Sequence, residues 1–413
     1  MFQHPKMRYV YCGIDSHKDT HTAVILNCFF EKLAEITFKN VPSEFESFLI
    51  RANRHKSKDI SIIFGLEDVS AYGRNLALFL NSKGYSVRHV NSSLVAHERK
   101  SMNVLHKSDN FDGECAARVL INRLDNLPEF SPYDKFWTLS KLVRRRNCLV
   151  KTGMSLKNHL HDYVMQHYPS YKKWFPNIDA KSSLAFFEKY PSPSKLEGIT
   201  EDDIIELFYK ECKKLFSKEK KASLILECVR KDGYTKAEHQ EFIDEMIVST
   251  VKELRTVIEE TKEVEKLIRE FLPKFGYKLQ SMRGIDDIAA ANLINEIGDI
   301  ERFPTAAKLS RYAGISPVSY SSGKTDLQFA NERGNRRLHG ILFKIAVTLC
   351  NTGGKHKRIT NPIFYDYYKK KISEGKTSKQ ALKCVQRRLI NIIWSMMKNK
   401  TEYQNPPTRK LES

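Results

Sequence analysis

The order of the hydrophobic runs in its N-terminal third restricts the fold of this chain more than any other feature. Three short β-rich runs follow one another, and helix-like and strand-like runs then alternate. The strand-like runs are residues 9–15, 20–30, 33–39, 59–67 and 85–90. The helix-like runs are residues 45–54, 71–84 and 114–124, and the last begins at Asp112 or Gly113. A chain with this order builds a sheet with helices packed against it.

Three strands followed by helix, strand, helix, strand and helix is the element order of an RNase H-like α/β fold. We therefore predict such a domain over residues 1–127. Because the chain has 413 residues, which is more than one core usually holds, we expect it to contain further domains.

Residues 128–275 form a second part, which is helical and heavily charged. Residues 140–168 and 243–272 carry apolar positions at helical spacing, and the second run is close to a heptad seam. Two long amphipathic helices predict an antiparallel coiled-coil arm, with an ordinary helical bundle as the alternative. The segment between them, including residues 169–183 and 190–198, is rich in turn-forming residues.

A third part, residues 276–405, begins with a glycine turn between two predicted helices. Gly284 separates an upstream helix from a helix over residues 289–297, which resembles a helix-hairpin-helix that holds a DNA phosphate. A basic helix follows at residues 378–398, and residues 406–413 read as a disordered tail.

The positive charge is concentrated near the C-terminus. The chain has a net charge of +20, and from Tyr320 onward 20 Lys and Arg face 6 Asp and Glu, a net +14. Such asymmetry favours a polyanionic partner. Because the sequence has no lipidation motif and no apolar run long enough for a membrane span, nucleic acid is the leading partner and a membrane is not expected.

The 8 cysteines are scattered and form no C-x-x-C pair, which argues against a zinc ribbon and a disulfide framework. The N-terminus lacks the apolar core of a signal peptide. We therefore expect a cytoplasmic, prokaryotic protein that associates with the nucleoid when active.

Four acids of the first domain lie where chemistry could use them. Asp15 and Glu67 each end a predicted strand, and Asp109 and Asp112 share one face of a helix start. Clustered carboxylates suit divalent cations, so we predict two Mg²⁺ ions, with Mn²⁺ as the alternative. Taken singly, each acid is more often a cap or a surface charge. Asp112 could be only a helix N-cap, and Asp19 and Asp68 are nearby rivals.

A serine-glycine segment offers a second kind of chemistry. Ser321, Ser322 and Gly323 are predicted to form a small flexible turn, in which a serine hydroxyl could attack phosphorus. Read alone, the segment is simply a loop. The nearby cations are candidates for binding a phosphodiester, or else part of a solvated face: Lys324, Arg333, Arg336 and Arg337.

These motifs together resemble the DEDD transposases, the Piv/MooV-like recombinases of insertion sequence family one-hundred-ten. The resemblance covers both ends of the chain and is looser in the middle. It is carried by residues 13–21, 65–91, 107–117, 281–299, 302–323 and 331–343.

The resemblance implies a RuvC-like domain that holds Mg²⁺ through Asp15, Glu67, Asp109 and Asp112. It also implies a coiled-coil segment for assembly and a C-terminal transposase domain whose serine becomes covalently joined to DNA. Ser322 is the best candidate and Ser321 a close second. A structured bridge RNA would pair with donor and target DNA. Dimers would assemble into tetramers, with each active site shared between a RuvC-like domain and a partner's serine domain.

Two positions depart from the family pattern. Gly113 follows Asp112 where alanine is common, a change expected to affect the helix start more than metal binding. The turn at Arg283–Asp286 lacks the usual Pro-Gly-Ile-Gly, which weakens the expectation of a close phosphate approach there.

The sequence thus predicts a Mg²⁺-dependent DNA recombinase that excises and inserts its own element. Two alternatives stay open. One is a RuvC-like junction nuclease that uses water instead of serine. The other is a non-catalytic nucleic-acid-binding protein whose acids are structural.

Overall fold

The chain folds into two units, residues Met1–Trp137 and Thr138–Ser413, here called the N-terminal and C-terminal units. The structure is a computed structural model, and it describes eleven stretches of the chain. They are residues 4–57, 59–67, 71–102, 108–130, 135–212, 217–235, 237–322, 325–329, 331, 334–353 and 358–404. The tail predicted over residues 406–413 lies outside them.

The N-terminal unit contains five strands and four helices among its described residues. In chain order they are β1 (Tyr9–Ser16), β2 (Thr20–Leu26), β3 (Lys32–Lys39), α1 (Pro42–Asn53), β4 (Ser61–Leu66), α2 (Arg74–Ser82), β5 (Val87–His89), α3 (Ser92–Ser101) and α4 (Asp109–Arg123). The predicted order of strands and helices is confirmed, with α3 as an additional helix that the sequence reading did not include.

The five strands form one mixed sheet in the order β3-β2-β1-β4-β5. β2 is antiparallel to both β1 and β3, whereas β4 runs parallel to β1 and β5 parallel to β4. Residues of β1 alternate between two cores: Val10, Cys12 and Ile14 lie in one, and Tyr11 lies in the other. The first core is covered by α1 and α2, and the second by α3 and α4. The unit is therefore a sheet with helices on both faces.

Helix α4 lies directly on β1 because a glycine stands where the two elements meet. A Cβ atom built on Gly13 would lie 2.2 Å from the backbone nitrogen of Ala117 and 2.3 Å from the carbonyl oxygen of Gly113. No side chain fits in that space, so the backbones pack against each other. Gly113 itself faces β2, with the carbonyl oxygen of Thr22 at 3.1 Å from its Cβ position.

The start of α4 differs from the sequence prediction. Ser108 is the N-cap, and its hydroxyl accepts a hydrogen bond from the Phe111 amide at 3.3 Å. The helix therefore begins three residues before Asp112, which lies inside the first turn and is not the cap. The prediction was late because it followed the apolar residues, whereas a serine cap sets the boundary.

The C-terminal unit is mainly helical. Its first helix, α5 (Lys135–His167), begins shortly before the unit boundary. The remaining elements are α6 (Tyr171–Trp174), α7 (Lys181–Lys189), α8 (Glu201–Glu211), α9 (Lys218–Asp232), α10 (Gln240–Phe271), α11 (Asp287–Ile297), α12 (Ala306–Tyr312), β6 (Val318–Ser322), β7 (Thr325–Phe329), α13 (Arg336–Cys350), β8 (Thr352–Gly353), β9 (Arg358–Ile359), α14 (Pro362–Ser373) and α15 (Ser378–Asn399).

The two long helices predicted for the middle of the chain are confirmed as α5 and α10. They run antiparallel, because Arg146 of α5 pairs with Glu265 at 2.9 Å while Gly153, further along α5, faces Val257, which comes earlier in α10. Gly153 has a Val257 methyl 3.4 Å from its Cβ position, so the glycine lets the helices approach closely.

The segment between α5 and α10 is more ordered than its turn-rich sequence indicated. It forms α6 to α9 around an aromatic cluster in which the largest members are fully buried: Tyr168, Tyr171, Trp174, Phe175, Phe186, Phe187 and Phe208. Aromatic side chains bury large areas and pair edge to face, so they build a core without a regular apolar period.

The prediction of a helix directly upstream of Gly284 was wrong. Residues Leu279–Ser281 form a single 3₁₀ turn, and α10 has already ended at Phe271. Gly284 has φ +104, and a Leu349 methyl lies 2.7 Å from its Cβ position. Packing against α13 thus explains this glycine. The downstream helix α11 and the basic helix α15 are confirmed.

The contact of β1 with α4 generates a stability prediction. We expect Gly13→Ala to lower the free energy of unfolding by about 3 kcal/mol, because the new methyl would meet backbone atoms that cannot rotate away. Urea denaturation followed by circular dichroism measures this change.

Gly113→Ala is the matched control. Its methyl would meet its nearest neighbour at 3.1 Å, and alanine favours the helix, so we expect a change within about 1 kcal/mol of wild type. A Gly13→Ala protein as stable as wild type would show that α4 does not depend on this contact.

Candidate functional site

Two of the four predicted acids are brought together by the parallel pairing of β1 and β4. Asp15 is near the end of β1, and Glu67 directly follows β4. The strands pair in register from Tyr9 with Ser61 to Ile14 with Leu66, and the Glu67 amide donates to the Ile14 carbonyl at 3.2 Å. Because parallel strands end at the same sheet edge, both carboxylates reach that edge.

Helix α4 delivers the other two acids to the same place. Asp109 and Asp112 both lie in its first turn, three residues apart and therefore on one face. Asp112 is 4% exposed, whereas the Asp109 side chain is 55% exposed. The glycine contact between β1 and α4 fixes how closely this turn approaches Asp15. We call Asp15, Glu67, Asp109 and Asp112 the acidic cluster.

The acidic cluster borders a polar cleft of about 420 Å³. Asp15, Glu67 and Asp112 line it, together with His17, His89 and Asn91. His17 connects Asp109 to the cleft: its Nδ1 lies 3.5 Å from an Asp15 oxygen, and its Nε2 lies 4.0 Å from an Asp109 oxygen. One ligand atom from each of these three residues falls within 4.8 Å of the others. Three of the four acids thus line one pocket, and Asp109 lies close to Asp15 and His17 beside it.

Two basic side chains in the cluster were not singled out from the sequence. Arg99 of α3 donates a hydrogen bond to Oδ1 of Asp112, and both side chains are largely buried. His17 lies between Asp15 and Asp109. A usable signal existed for His17, because it stands two residues after Asp15 in the run Gly13–His21. For Arg99 no such signal existed, since α3 itself was not predicted.

Burial raises the pKa of Asp15 to about 6 from an ordinary value of 3.8. His17 acts in the opposite direction, while the negative charges of Glu67, Asp112 and Asp109 raise the pKa further. Because the folded-state pKa lies above that of the unfolded chain, the contribution of Asp15 to stability is present below about pH 4. It is lost as the pH rises through about 6. An ionised Asp15 therefore needs a counter-charge.

The donor set of the cluster fits a divalent cation. Carboxylate oxygens are the hard ligands that Mg²⁺ and Mn²⁺ prefer, and a cation would relieve the repulsion that raises the Asp15 pKa. Arg99 engages only one oxygen of Asp112, Oδ1. Of the rivals considered from sequence, Asp19 is exposed at the turn between β1 and β2, and Asp68 lies outside the described residues.

The serines lie in a strand and not in a turn. β6, which ends at Ser322, pairs with β7, so that Ser321 is opposite Asp326 and Ser322 opposite Thr325. The prediction of a flexible turn over Ser321–Gly323 was therefore wrong for the two serines. The antiparallel pairing of β6 with β7 is that of a β-hairpin. Gly323 and Lys324 lie outside the described residues.

Two of the predicted nucleic-acid-binding residues open helix α13. Arg336 and Arg337 are exposed at its first two positions, after the N-cap Asn335, whose side chain accepts from the Arg337 amide at 3.0 Å. Arg333 lies outside the described residues. None of the helices in the described part of the chain is both long and apolar enough to cross a membrane.

Comparison with known proteins gives matches at both ends of the chain. A family model described as Transposase, of the DEDD type of IS110, matches residues 12–169. A second, described as Transposase IS116/IS110/IS902 family, matches residues 276–369. The first covers the whole acidic cluster, and the second covers α11 to β9 with both serines.

Relatives among curated proteins agree with these matches. The chain is 23% identical to an IS116 uncharacterized 44.8 kDa protein of Streptomyces clavuligerus, over 96% of this chain and 97% of the relative. It is 27% identical to an IS110 43.6 kDa protein of Streptomyces coelicolor, over 65% and 64% of the two chains. It is also 28% identical to a pilin gene-inverting protein of Moraxella lacunata, over 33% and 41%.

The electrostatics of the cluster predict pH-dependent metal binding. Protons and Mg²⁺ compete for Asp15, so we expect Mg²⁺ to raise the melting temperature at about pH 7.5 and to have little effect at about pH 5. Asp15→Asn should remove most of the Mg²⁺ effect. Without metal it should raise stability at about pH 7.5 by on the order of 2 kcal/mol, because the buried charge is gone. Differential scanning calorimetry measures both effects.

Asp19→Asn provides the control, since Asp19 is an exposed acid close to Asp15 in sequence. It should leave the Mg²⁺ effect and its pH dependence unchanged. An Asp15→Asn protein that Mg²⁺ stabilises as much as wild type would exclude Asp15 as a ligand.

Proposed function

Because this chain belongs to the IS110/IS116 family of transposases, we propose that it excises and inserts DNA by phosphoryl transfer at the acidic cluster. The observation that carries this proposal is that Asp15, Glu67 and Asp112 line one cleft, with Asp109 close to Asp15 beside it. We further propose that the mixed sheet with its flanking helices is an RNase H-like, RuvC-like domain, which its strand order supports. A relative whose name describes the inversion of a pilin gene supports recombination as the outcome.

In this proposal the acidic cluster holds Mg²⁺, with Mn²⁺ as a substitute. Two ions, when bound, would neutralise the charge of the phosphate that reacts and stabilise the attacking and leaving oxygens. Asp15 and Asp112, which are nearly buried, would be fixed ligands. Asp109 and Glu67 lie nearer the solvent and would complete the site. Arg99 keeps Asp112 in place, and His17 keeps Asp109 beside Asp15.

The nucleophile in this proposal is Ser322, with Ser321 as the alternative. Its hydroxyl oxygen would lose its proton and form a bond to phosphorus. The bond from phosphorus to a DNA oxygen would break, and that oxygen would take up a proton and become a hydroxyl. A DNA hydroxyl would later attack the phosphoserine and release the serine. Each step exchanges one phosphate ester for another, so rejoining needs no ATP.

Guidance by RNA and assembly of several copies complete the proposal. A structured bridge RNA would pair with donor and target DNA, and the net +14 from Tyr320 onward suits such a polyanion. Dimers, and tetramers formed from them, would assemble through the antiparallel pair α5 and α10. The cluster of one copy would then act with the serine of another.

Ser322→Ala tests the nucleophile. We expect the wild-type protein with Mg²⁺ and its element-end DNA to form a covalent protein–DNA adduct, seen as a labelled band after denaturing electrophoresis. Ser322→Ala should abolish the adduct, because no oxygen remains at that position to attack phosphorus. Ser321→Ala is the matched control and should retain it.

Each contrary result points to a different alternative. Cleavage without any adduct in Ser322→Ala would favour a nuclease that uses water. Loss of the adduct in Ser321→Ala but not in Ser322→Ala would assign the nucleophile to Ser321. An Asp15→Asn protein with every activity of wild type would support the alternative of a nucleic-acid-binding protein whose acids are structural.

RNA guidance is tested by sequencing the RNA that co-purifies with the protein. We expect one discrete structured species containing segments complementary to both donor and target DNA. A mixture of cellular RNA fragments, with recombination unaffected by ribonuclease treatment, would contradict the proposal of guidance and leave the chemistry of the acidic cluster untouched.

A further inference from the structure

Helix α13 has one face in the core and one face in solvent. Its core face consists of five buried apolar residues: Leu338, Leu342, Ile345, Ala346 and Leu349. On the opposite side six residues share an arc of about 120°, at about 100° per residue. We call these six residues the outer face of α13: Arg336, Arg337, Gly340, Phe343, Lys344 and Val347.

No contact with the described residues explains the glycine at the centre of the outer face. Gly340 lies in the middle of a helix, where glycine is among the least favourable residues. A Cβ atom at this position would meet nothing within 4 Å. Every other glycine whose surroundings are described either has a positive φ or lies against a neighbouring atom within 4 Å. The fold itself would therefore accept alanine here and gain stability.

The outer face carries positive charges that no acid in the described part of the chain pairs with. Helix α13 contains three Lys and Arg and no Asp or Glu. None of Arg336, Arg337 and Lys344 forms an ion pair with an acid of the described residues. Their side chains carry full charges into solvent on both sides of Gly340, in an arrangement that attracts a polyanion.

The outer face also borders an open cleft of about 560 Å³ whose other wall is α11. Two acids of this cleft are already engaged by hydrogen bonds. Asp286 caps α11 by accepting from the Ala289 amide at 2.7 Å, and Glu296 accepts from the Asn335 side chain at 2.9 Å. These neutral donors leave both acids charged. The three cations of α13 outnumber them, and Arg146 in the same cleft pairs with Glu265, so the cleft keeps a net positive charge.

We propose that the outer face of α13 is a docking surface for the sugar–phosphate backbone of duplex DNA. The backbone would pass over Gly340, where the missing side chain allows it to approach the helix, and the flanking cations would bind its phosphates. Phe343 and Val347, which are 41% and 37% exposed, would pack against the deoxyribose. The inference rests on the proposed function for the identity of the ligand as DNA.

Substitutions at Gly340 separate this role from a structural one. Gly340→Ala should raise the melting temperature by about 1–3 °C, because alanine favours the helix and meets no neighbour. It should at the same time weaken binding to DNA several-fold, and Gly340→Leu should weaken it at least tenfold. Lys344→Gln should lower the slope of log affinity against log salt by about 1.

Binding is measured by fluorescence anisotropy of the full chain with a labelled mixed-sequence DNA duplex of about 30 bp, without divalent ions so that no cleavage occurs. Thr256→Ala is the control, because it exchanges an interior residue of another helix, α10, for alanine away from α13. It should change stability slightly and leave DNA binding unchanged.

The outcomes distinguish this inference from the proposed function. Gly340 variants that bind DNA like wild type would overturn the docking surface and leave the recombinase proposal intact. Variants that lose binding to an RNA duplex of the same sequence but keep DNA binding would overturn DNA as the ligand. A wild-type chain that binds no DNA at all would overturn both.

Discussion

The backbone contact between β1 and α4 sets the geometry on which the acidic cluster depends. With no side chain at Gly13, the helix lies against the strand that carries Asp15, and its first turn ends beside that residue. The ladder between β1 and β4 places Glu67 at the same edge. Local rules alone would put the four acids at three separate element ends, those of β1, β4 and α4. One close packing contact and one parallel strand pair make them neighbours.

This arrangement holds carboxylates close together and partly shielded from water, so their negative charges repel one another. The raised pKa of Asp15 is the direct consequence of burying a carboxylate among three others. Arg99 and His17 offset part of the repulsion from within the protein. The negative charge that remains uncompensated favours binding of a divalent cation. The same repulsion that lowers stability at neutral pH therefore makes the site suited to metal.

Periodicity predicted most of the architecture, because strands and long helices repeat their apolar residues at fixed spacing. It also gave the convergence of Asp15 and Glu67, since parallel strands end together. The elements that periodicity did not predict have no regular spacing of apolar residues. The aromatic cluster around Trp174 is irregular along the chain, and α3 is short and polar. The serine-glycine motif predicted a turn, whereas Ser322 lies in a strand and pairs with Thr325 of β7.

If the proposed function and the docking surface hold, the two units divide the electrostatic work that a phosphodiester requires. The acidic cluster repels a phosphate until cations are bound, so it cannot supply the energy that holds DNA. The outer face of α13 attracts phosphate but offers no metal ligands, so it can hold DNA without reacting with it. Gly340 belongs to this proposal, because a helix that keeps an unfavourable residue at a half-buried interior position gives up stability that contact with DNA can return. In this proposal the cations of α13 lie on an element of the other unit, where they do not compete with metal ions for the carboxylates, as Arg99 already does at Oδ1 of Asp112.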